Sequence, residues 1–173
     1  MIVATDVHYD DANDQAFAAA VCFDAWTDSA PTFERTRRVD GLRPYRPGSF
    51  YERELPCLLA ALDGLDADLI IVDGHAVLDG RPGLGGHLHA ALGVPVVGVA
   101  KASFSNGEAL PLLRGRSERP LWVSAAGFSH ERARQLVGSM AGPHRIPTLL
   151  KRADALARAQ FTQLVPSNVS STS

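Results

Sequence analysis

The sequence predicts an α/β fold whose mixed sheet starts with an antiparallel meander of three strands and continues with parallel strands flanked by helices. Three observations support this prediction. Strand-like apolar and alternating segments follow one another as far as Val39. Residues 69–72 are then branched and apolar without interruption, and Asp73 follows them. A helix-like segment separates this run from a second strand-like segment at residues 96–101. Buried parallel strands are continuous apolar runs, and two parallel neighbours require a long crossover connection.

The meander is predicted from the first part of the chain, with strands at residues 2–9, 16–26 and 32–39. The first of them carries Asp6, and a polar turn joins it to the second. The second strand contains Ala18-Ala19-Ala20, which would suit a helix equally well. The third alternates and carries Arg37-Arg38, either as a charged strand face or as a contact to phosphate.

A helix is expected after the Pro- and Gly-rich loop at residues 43–49. Ser49 followed by Glu52 is a capping-box pattern, which predicts the start of the helix at this point. Pro56 would either kink the helix or mark its true first turn. In both cases Glu54 lies near the beginning of the helix.

Asp73 stands at the carboxyl end of its buried strand, where ligands bind in open α/β sheets. Taken alone, such an aspartate more often only caps the following turn. Residues 77–86 form a glycine-rich loop, and residues 84–92 predict a short helix. A right-handed crossover through this helix places the next strand parallel to the first. Lys101 is therefore expected at the same edge of the sheet as Asp73.

The remaining sequence completes one predicted domain, residues 1–164, and we expect residues 165–173, which are rich in Ser and Thr, to form a disordered tail. Further strands and helices are predicted at residues 110–113, 121–124, 129–140 and 148–163. No apolar run approaches the roughly 20 residues of a membrane span, so no membrane partner is expected. We expect a monomer.

The overall charge and the cysteines narrow the possible environments and partners. The net charge of −2 argues against a general basic coat for nucleic acid but allows a local basic groove. Cys22 and Cys57 lack metal-ligand spacing and are expected to be buried thiols, which suits the cytoplasm. The positive charge is almost all arginine, and Lys101 and Lys151 are the two lysines of the sequence. In a sequence that uses arginine for almost all of its positive charge, each lysine is a candidate for a specific role.

Three acidic residues in this order of strands and helices, Asp6, Glu54 and Asp73, resemble the outline of a ribonuclease H-like fold. Two aspartates on neighbouring strands, without a cysteine or histidine cluster, suit a hard cation such as Mg²⁺, for which Mn²⁺ can substitute. Such cations bridge phosphate oxygens. A lysine beside them can neutralise charge on a phosphoryl group in transfer.

Several blocks of sequence between residues 2 and 158, in the right order, resemble the endonuclease V family. A single short block would be weak support, whereas blocks in register along the whole chain are strong support. The blocks are Asp6-Val7-His8-Tyr9, PYRPGSFYERELP at 44–56, Val72-Asp73-Gly74-His75, His87-Leu88, PVVGVAK at 95–101, Trp122-Val123-Ser124, Arg145-Ile146-Pro147 and Arg152-Ala153-Asp154.

This resemblance implies a metal-dependent endonuclease that cleaves DNA or RNA at the second phosphodiester on the 3′ side of inosine. By resemblance, Asp6 and Asp73 hold the metal. Glu54 completes the acidic cluster, where it binds a second metal or orients water. Lys101 lies against the scissile phosphate.

The resemblance also implies how the base is recognised. Tyr45, braced between two prolines, would fill the gap left by an extruded base. Glycines would let the backbone approach hypoxanthine closely. The implied substrate-binding residues are Tyr45, Pro47, Gly48, Gly74, His75, Gly83 and Gly85, with Gly86 beside them. His75 and His87 are expected to be structural rather than catalytic.

Two positions depart from the family's pattern. Asp79-Gly80 stand where the family usually has His-Pro, and Phe128 stands where it has a histidine that approaches the active site. His130 is a candidate to replace that histidine. The departures leave an alternative open, in which this chain is a catalytically weakened member that binds nucleic acid or a partner protein without cutting.

Overall fold

The computed structural model describes residues 1–44, 46–47, 49–104 and 107–164, of which 161–164 are described as helix backbone only. Tyr45, Gly48 and the predicted tail, residues 165–173, lie outside the described residues. Along the chain the elements are β1 (Ile2–Asp10), β2 (Gln15–Phe23), β3 (Phe33–Asp40), α1 (Phe50–Leu62), β4 (Leu69–Asp73), β5 (Val77–Leu78), β6 (Arg81–Pro82), α2 (Leu84–Leu92), β7 (Val96–Ala100), β8 (Leu110–Leu112), β9 (Leu121–Ala126), α3 (His130–Ser139) and α4 (Thr148–Leu164).

A seven-stranded mixed sheet in the order β3-β2-β1-β4-β7-β9-β8 forms the centre of the protein. β1, β2 and β3 make the predicted antiparallel meander, and β1, β4 and β7 run parallel. The α/β fold class predicted from the sequence is therefore confirmed. At the other edge β9 and β8 are antiparallel to their neighbours.

β2 lies at the centre of the meander and is buried on both faces. Its three alanines, Ala18 to Ala20, are fully buried in the strand, so the helical alternative for this segment is wrong. α1 packs on one side of β2 and α4 on the other. Because both faces are covered by helices, the strand is apolar throughout instead of alternating.

The helices form one layer on each face of the sheet. α1 and α2 cover a core that includes Val3, Cys57 and Ile70, whereas α3 and α4 cover a core that includes Phe23 and Leu121. None of the described helices is long and apolar enough to cross a bilayer. The site described below lies where the two layers meet the carboxyl ends of β4 and β7.

α1 begins where the sequence predicts, but the predicted side-chain cap of Ser49 is absent. Ser49 is the N-cap, yet its side chain accepts no capping hydrogen bond. The backbone N–H of Glu52 instead donates to the carbonyl oxygen of Ser49 at 3.0 Å. Pro56 lies inside the helix, on an exposed position, so it does not mark the first turn.

Candidate active site

Asp73 and Lys101 meet at the carboxyl ends of β4 and β7, as the crossover predicts. The Lys101 Nζ donates to the Asp73 Oδ2 at 2.5 Å. Burial alone would lower the pKa of Lys101, but its hydrogen bond to Asp73 and the charge of that carboxylate raise the pKa above the usual value. Lys101 is therefore held as a cation at the mouth of the site.

Asp6 reaches this edge because β1 continues beyond its pairing with β4. β1 pairs with β4 as far as Ala4 and Ile71, and the Thr5 Oγ1 donates to the carbonyl oxygen of Ile71 at 3.0 Å. Continuing this register places Asp6 beside Asp73. Burial raises the pKa of Asp6 to about 7, and the negative charge of Asp73 adds to the increase.

Glu54 approaches the same carboxylates from the first turns of α1, on the other side of the sheet edge. Its side chain is 5% exposed, and among the described residues its Oε2 has no hydrogen-bond partner. Burial raises the pKa of Glu54 to about 8, and the negative charges of Asp6 and Asp73 act in the same direction. Without a cation, the folded protein therefore favours the protonated form of Glu54.

Asp154 is a fourth carboxylate in the cluster, and the sequence reasoning gave it no role. It lies on α4 close enough to Asp6 to help raise the pKa of that residue, and it forms an ion pair with Arg158 at 2.8 Å. Burial would raise the pKa of Asp154, but the hydrogen bond and charge of Arg158 outweigh it and lower the pKa. The proximity of Asp154 therefore adds to the burial and the Asp73 charge that favour the protonated form of Asp6.

The donor set fits a hard divalent cation. Its side chains offer carboxylate oxygens, the ligands that Mg²⁺ and Mn²⁺ prefer, and the buried Oε2 of Glu54 lacks a partner among the described residues. Within those residues, no group of three His, Cys, Asp or Glu side chains already has the spacing of a cation's ligand set. Asp6, Glu54 and Asp73 are the carboxylates that would hold such a cation.

A cavity of about 320 Å³ opens beside the carboxylates, on the α3 and α4 side of the sheet. One part of its wall carries charged side chains and another part is apolar. The lining residues are Thr5, Asp6, Val72, Asp73, Val99, Lys101, Leu121, His144, Arg145, Ile146, Leu150, Lys151 and Asp154.

Two arginines fix the loop between α3 and α4, which closes this cavity. Arg145 donates through Nη2 to the carbonyl oxygens of Lys101 and Pro120 at 2.6 and 2.7 Å. Arg114 is buried and donates to the carbonyl oxygens of Met140 and His144. Arg145 thereby ties the loop to the backbone that carries Lys101. Arg114 lies in a Gly- and Arg-rich turn, and no sequence motif indicated its role.

Comparison with known proteins decides the family. The endonuclease V family model matches residues 1–112. Endonuclease V of Streptomyces avermitilis is 36% identical over 183 residues, which cover 91% of this chain and 79% of that protein. The chain belongs to the endonuclease V family. It is accordingly a nuclease, a hydrolase of phosphodiester bonds.

Solved endonuclease V structures share the fold. Human endonuclease V superposes with a TM-score of 0.77 at 26% identity, covering 94% of this chain and 84% of that chain. The enzyme of Ciona intestinalis superposes with a TM-score of 0.76 at 22% identity, covering 94% and 85%. The Ciona structure is a complex with a 24-mer DNA that contains an inosine followed by a ribo-adenosine.

Of the base-binding residues implied by the endonuclease V resemblance, Gly74, His75, Gly83 and Gly85 lie around the loop between β4 and α2. Gly83 and Gly85 donate backbone hydrogen bonds to Ala76 and His75 respectively, and a His75 ring nitrogen lies 3.0 Å from the carbonyl oxygen of Ala102. Gly74 has φ +140, a conformation that favours glycine. Pro47 lies in the turn before α1. Their contact with a base stays a prediction.

Packing within the protein already requires glycine at two positions of this loop, whether or not a base binds there. A Cβ on Gly83 would lie 2.5 Å from the carbonyl oxygen of His75, and one on Gly86 would lie 2.7 Å from that of Ala76. His87 stacks on Tyr51 with ring centroids 3.6 Å apart. The loop is therefore packed closely against its own backbone, and its shape is sensitive to added atoms.

We expect Gly83→Ala to destabilise the protein by about 1–3 kcal/mol, because the new methyl group collides with fixed backbone. Gly138→Ala is the matched control. Its Cβ would meet only the Leu112 Cδ1 at 3.6 Å, and in the last turn of α3 it should stabilise by at most about 0.5–1 kcal/mol. Urea unfolding of both variants measures the two effects. A Gly83→Ala protein as stable as the wild type would show that the loop yields easily.

Phe128 does not lie near the active site, contrary to the expectation from the endonuclease V pattern. β9 runs antiparallel to β7, so Ala126 pairs with Val96, at the edge opposite Lys101. Phe128 follows Ala126 and packs against the core below α3 and α4. His130 lies at the same far edge, where its Nδ1 accepts a hydrogen bond from the backbone of Ala125 at 3.2 Å. The expectation that His130 could serve the active site is wrong for the same reason.

Asp79 and Gly80 form the two-residue turn between β5 and β6, within the segment predicted only as a loop. Both have positive φ, 49 and 72, as a type I′ hairpin turn requires, and Asp-Gly is a favoured sequence for this turn. Proline cannot adopt such a φ. The replacement of the family's His-Pro therefore accompanies a local hairpin in this chain.

Proposed function

We propose that this protein is a divalent-cation-dependent endonuclease that cleaves inosine-containing DNA or RNA at the second phosphodiester on the 3′ side of inosine. The observation that carries the proposal is the convergence of Asp6, Glu54 and Asp73 with Lys101 at the carboxyl edge of the sheet. Acidic oxygens beside one lysine at an open mouth suit a phosphate ester and a hard cation.

Asp6 and Asp73 would hold the cation, and Glu54 would bind a second one or orient water. A bound Mg²⁺ or Mn²⁺ supplies positive charge that stabilises the transition state of phosphodiester hydrolysis. Lys101 donates a hydrogen bond to Asp73. An arriving phosphate can replace Asp73 as the acceptor for the ammonium group. The lysine then holds the phosphate by a charge-assisted hydrogen bond.

Inosine as the target base is supported by membership of the family. The Ciona relative, which shares the fold, was solved with inosine-containing DNA. In this chain Gly74, His75, Gly83 and Gly85 would approach the base, and Tyr45 would occupy the gap it leaves. The alternative of a protein that binds without cutting rests on the departures at Asp79 and Phe128, and Phe128 lies away from the carboxylates.

The direct test is a cleavage assay on end-labelled strands of DNA and RNA, each with and without one inosine, in Mg²⁺, in Mn²⁺ and in EDTA. We expect cuts only in the cation-containing reactions and only beside inosine, with product lengths that place the cut at the second phosphodiester. Tight binding of the inosine strand without any cutting would support the alternative instead.

Cation binding has a readout that is independent of cleavage. At ten times Kd, Mn²⁺ or Mg²⁺ should stabilise the folded protein by about 1.4 kcal/mol, a rise in Tm of about 3–6 °C. The Asp6→Asn variant should lose most of this rise. NaCl at matched ionic strength is the control, and an equal rise with NaCl would contradict a specific cation site.

Tyr45→Ala should weaken binding to an inosine-containing duplex by about 5- to 150-fold, because base–aromatic stacking is worth about 1–3 kcal/mol. Binding to a plain duplex should change much less. Tyr45→Phe keeps the ring and should be nearly silent. Fluorescence anisotropy on the two duplexes measures the difference, and equal losses on both would assign Tyr45 only to the shape of its loop.

A further inference from the structure

Lys151 is the second of the two lysines, and the proposed function leaves it without a role. It lies in the second turn of α4 and lines the same cavity as Lys101 and the carboxylates. Its side chain is exposed. The cavity therefore presents one ammonium group from the end of β7 and another from the helix that covers the opposite wall.

The arginines near this cavity have hydrogen-bond or ion-pair partners within the protein, although the buried Arg145 Nε has none among the described residues. Arg145 donates to two carbonyl oxygens. Arg152 forms two hydrogen bonds with the Glu34 carboxylate, at 2.6 and 2.7 Å, and Arg158 pairs with Asp154. Among the described residues, the Lys151 ammonium group has no hydrogen bond or ion pair in the protein, so it is available to a ligand.

The position of the cavity indicates which part of a nucleic acid Lys151 would meet. The implied base-binding residues around Gly83 lie with α2, on one side of the sheet, and none of them lines the cavity. Lys151 lies with α4, on the other side. A strand whose inosine occupied the α2 side would cross the carboxylates at its cleaved phosphate and could continue toward α4.

We propose that Lys151 binds the phosphate that follows the cleaved one on the 3′ side of the substrate strand. This inference rests on the proposed function, because the direction of the strand depends on the inosine lying on the α2 side. Its ligand is a phosphodiester of the nucleic-acid backbone, recognised by charge and without regard to sequence. Lys151 contacts no reacting atom and is a positioning residue.

Such a contact should act on substrate binding more than on the chemical step. Loss of one charge-assisted hydrogen bond weakens binding by about tenfold or more, so Lys151→Gln should raise KM by about tenfold and leave kcat within about twofold. The dependence of log K on log salt should become shallower by about 0.7 on single strands, as for one lost phosphate contact. Lys151→Arg keeps the charge and should restore most of the affinity.

The control is Arg132→Gln, which removes one positive charge from the start of α3, near the far edge of the sheet. It changes net charge as Lys151→Gln does, so it separates a local contact from a general loss of positive charge. We expect its KM and salt dependence to stay close to the wild-type values.

A substrate with one uncharged methylphosphonate at the phosphate 3′ to the cut identifies the contact. On this strand the wild-type enzyme should bind about as weakly as Lys151→Gln, and the mutation should add little further loss. If Lys151→Gln weakens binding by the same factor on the ordinary strand and on the methylphosphonate strand, or weakens binding to neither, the inference is wrong. If the wild type neither cuts nor prefers inosine strands, the proposed function itself fails.

Discussion

Asp73→Asn is expected to reduce the rate of cleavage by about 10²- to 10³-fold while the protein stays folded. Asp73 is the carboxylate that faces Lys101 and lies in register with Asp6. The substitution keeps the shape of the side chain and removes the charge that would hold a cation, and losing one such electrostatic group commonly costs about 10²–10³ in rate. Asp73 is 38% exposed at its side chain, so its replacement should leave the core unchanged.

The measurement is single-turnover cleavage of an inosine-containing strand, with circular dichroism as the check of the fold. Asp79→Asn is a matched control, because Asp79 lies in the exposed β5–β6 turn and asparagine tolerates its positive φ. We expect this control to cut at the wild-type rate. An Asp73→Asn enzyme that cuts as fast as the wild type would remove Asp73 from the active site.

Glu54→Gln should lower activity and raise stability, two effects of opposite sign from one substitution. Glu54 is buried, and burial together with Asp6 and Asp73 raises its pKa to about 8 from the usual 4.5. The folded protein without a cation therefore resists ionisation of this carboxyl, whereas the unfolded chain does not. Glutamine cannot ionise, so it removes this cost, but it also removes a charged ligand and should reduce cleavage by about 10²-fold or more.

The stability effect has a defined pH dependence. Below pH 4.5 the carboxyl is protonated in both states and the variant should match the wild type. As pH rises from 4.5 to about 8, the unfolded wild type gains stability by ionising, so the advantage of Glu54→Gln grows to about 2–4 kcal/mol. Urea unfolding in EDTA at several pH values measures it, with Glu118→Gln on the surface as control. A constant difference across this range would contradict the assignment.

The pairing of Asp73 with Lys101 could be predicted from the sequence because it depends on local rules. Each residue ends a continuous apolar strand, and the segment between the strands is long enough for a crossover helix closed by Gly93. The handedness of such crossovers places both strand ends at one edge. The assignment of Asp6 depends instead on the resemblance to the endonuclease V family, and the structure places it on the first strand of the meander.

The direction of β9 and the role of Asp154 could not be predicted in the same way. The connection between β7 and β9 is not a helix, so no rule of handedness applies, and either direction of β9 satisfies its apolar sequence. Because β9 runs antiparallel to β7, Phe128 and His130 lie at the end of the sheet opposite the active site. Asp154 lies in a helix with several other charged residues, and only the packing of α4 across β1 shows which of them faces Asp6.

The packing of α4 against β1 and β2 also determines the order in which the protein can fold during synthesis. α4 follows every strand of the sheet in the chain, yet it covers residues of the first two strands, among them Ala4, Val21 and Phe23. During synthesis, at roughly 5–20 residues per second, this apolar face stays exposed until α4 leaves the ribosome. Asp154 and Lys151 arrive with the same helix. A nascent chain therefore cannot bring Asp154 to the other carboxylates before α4 covers this face of the sheet.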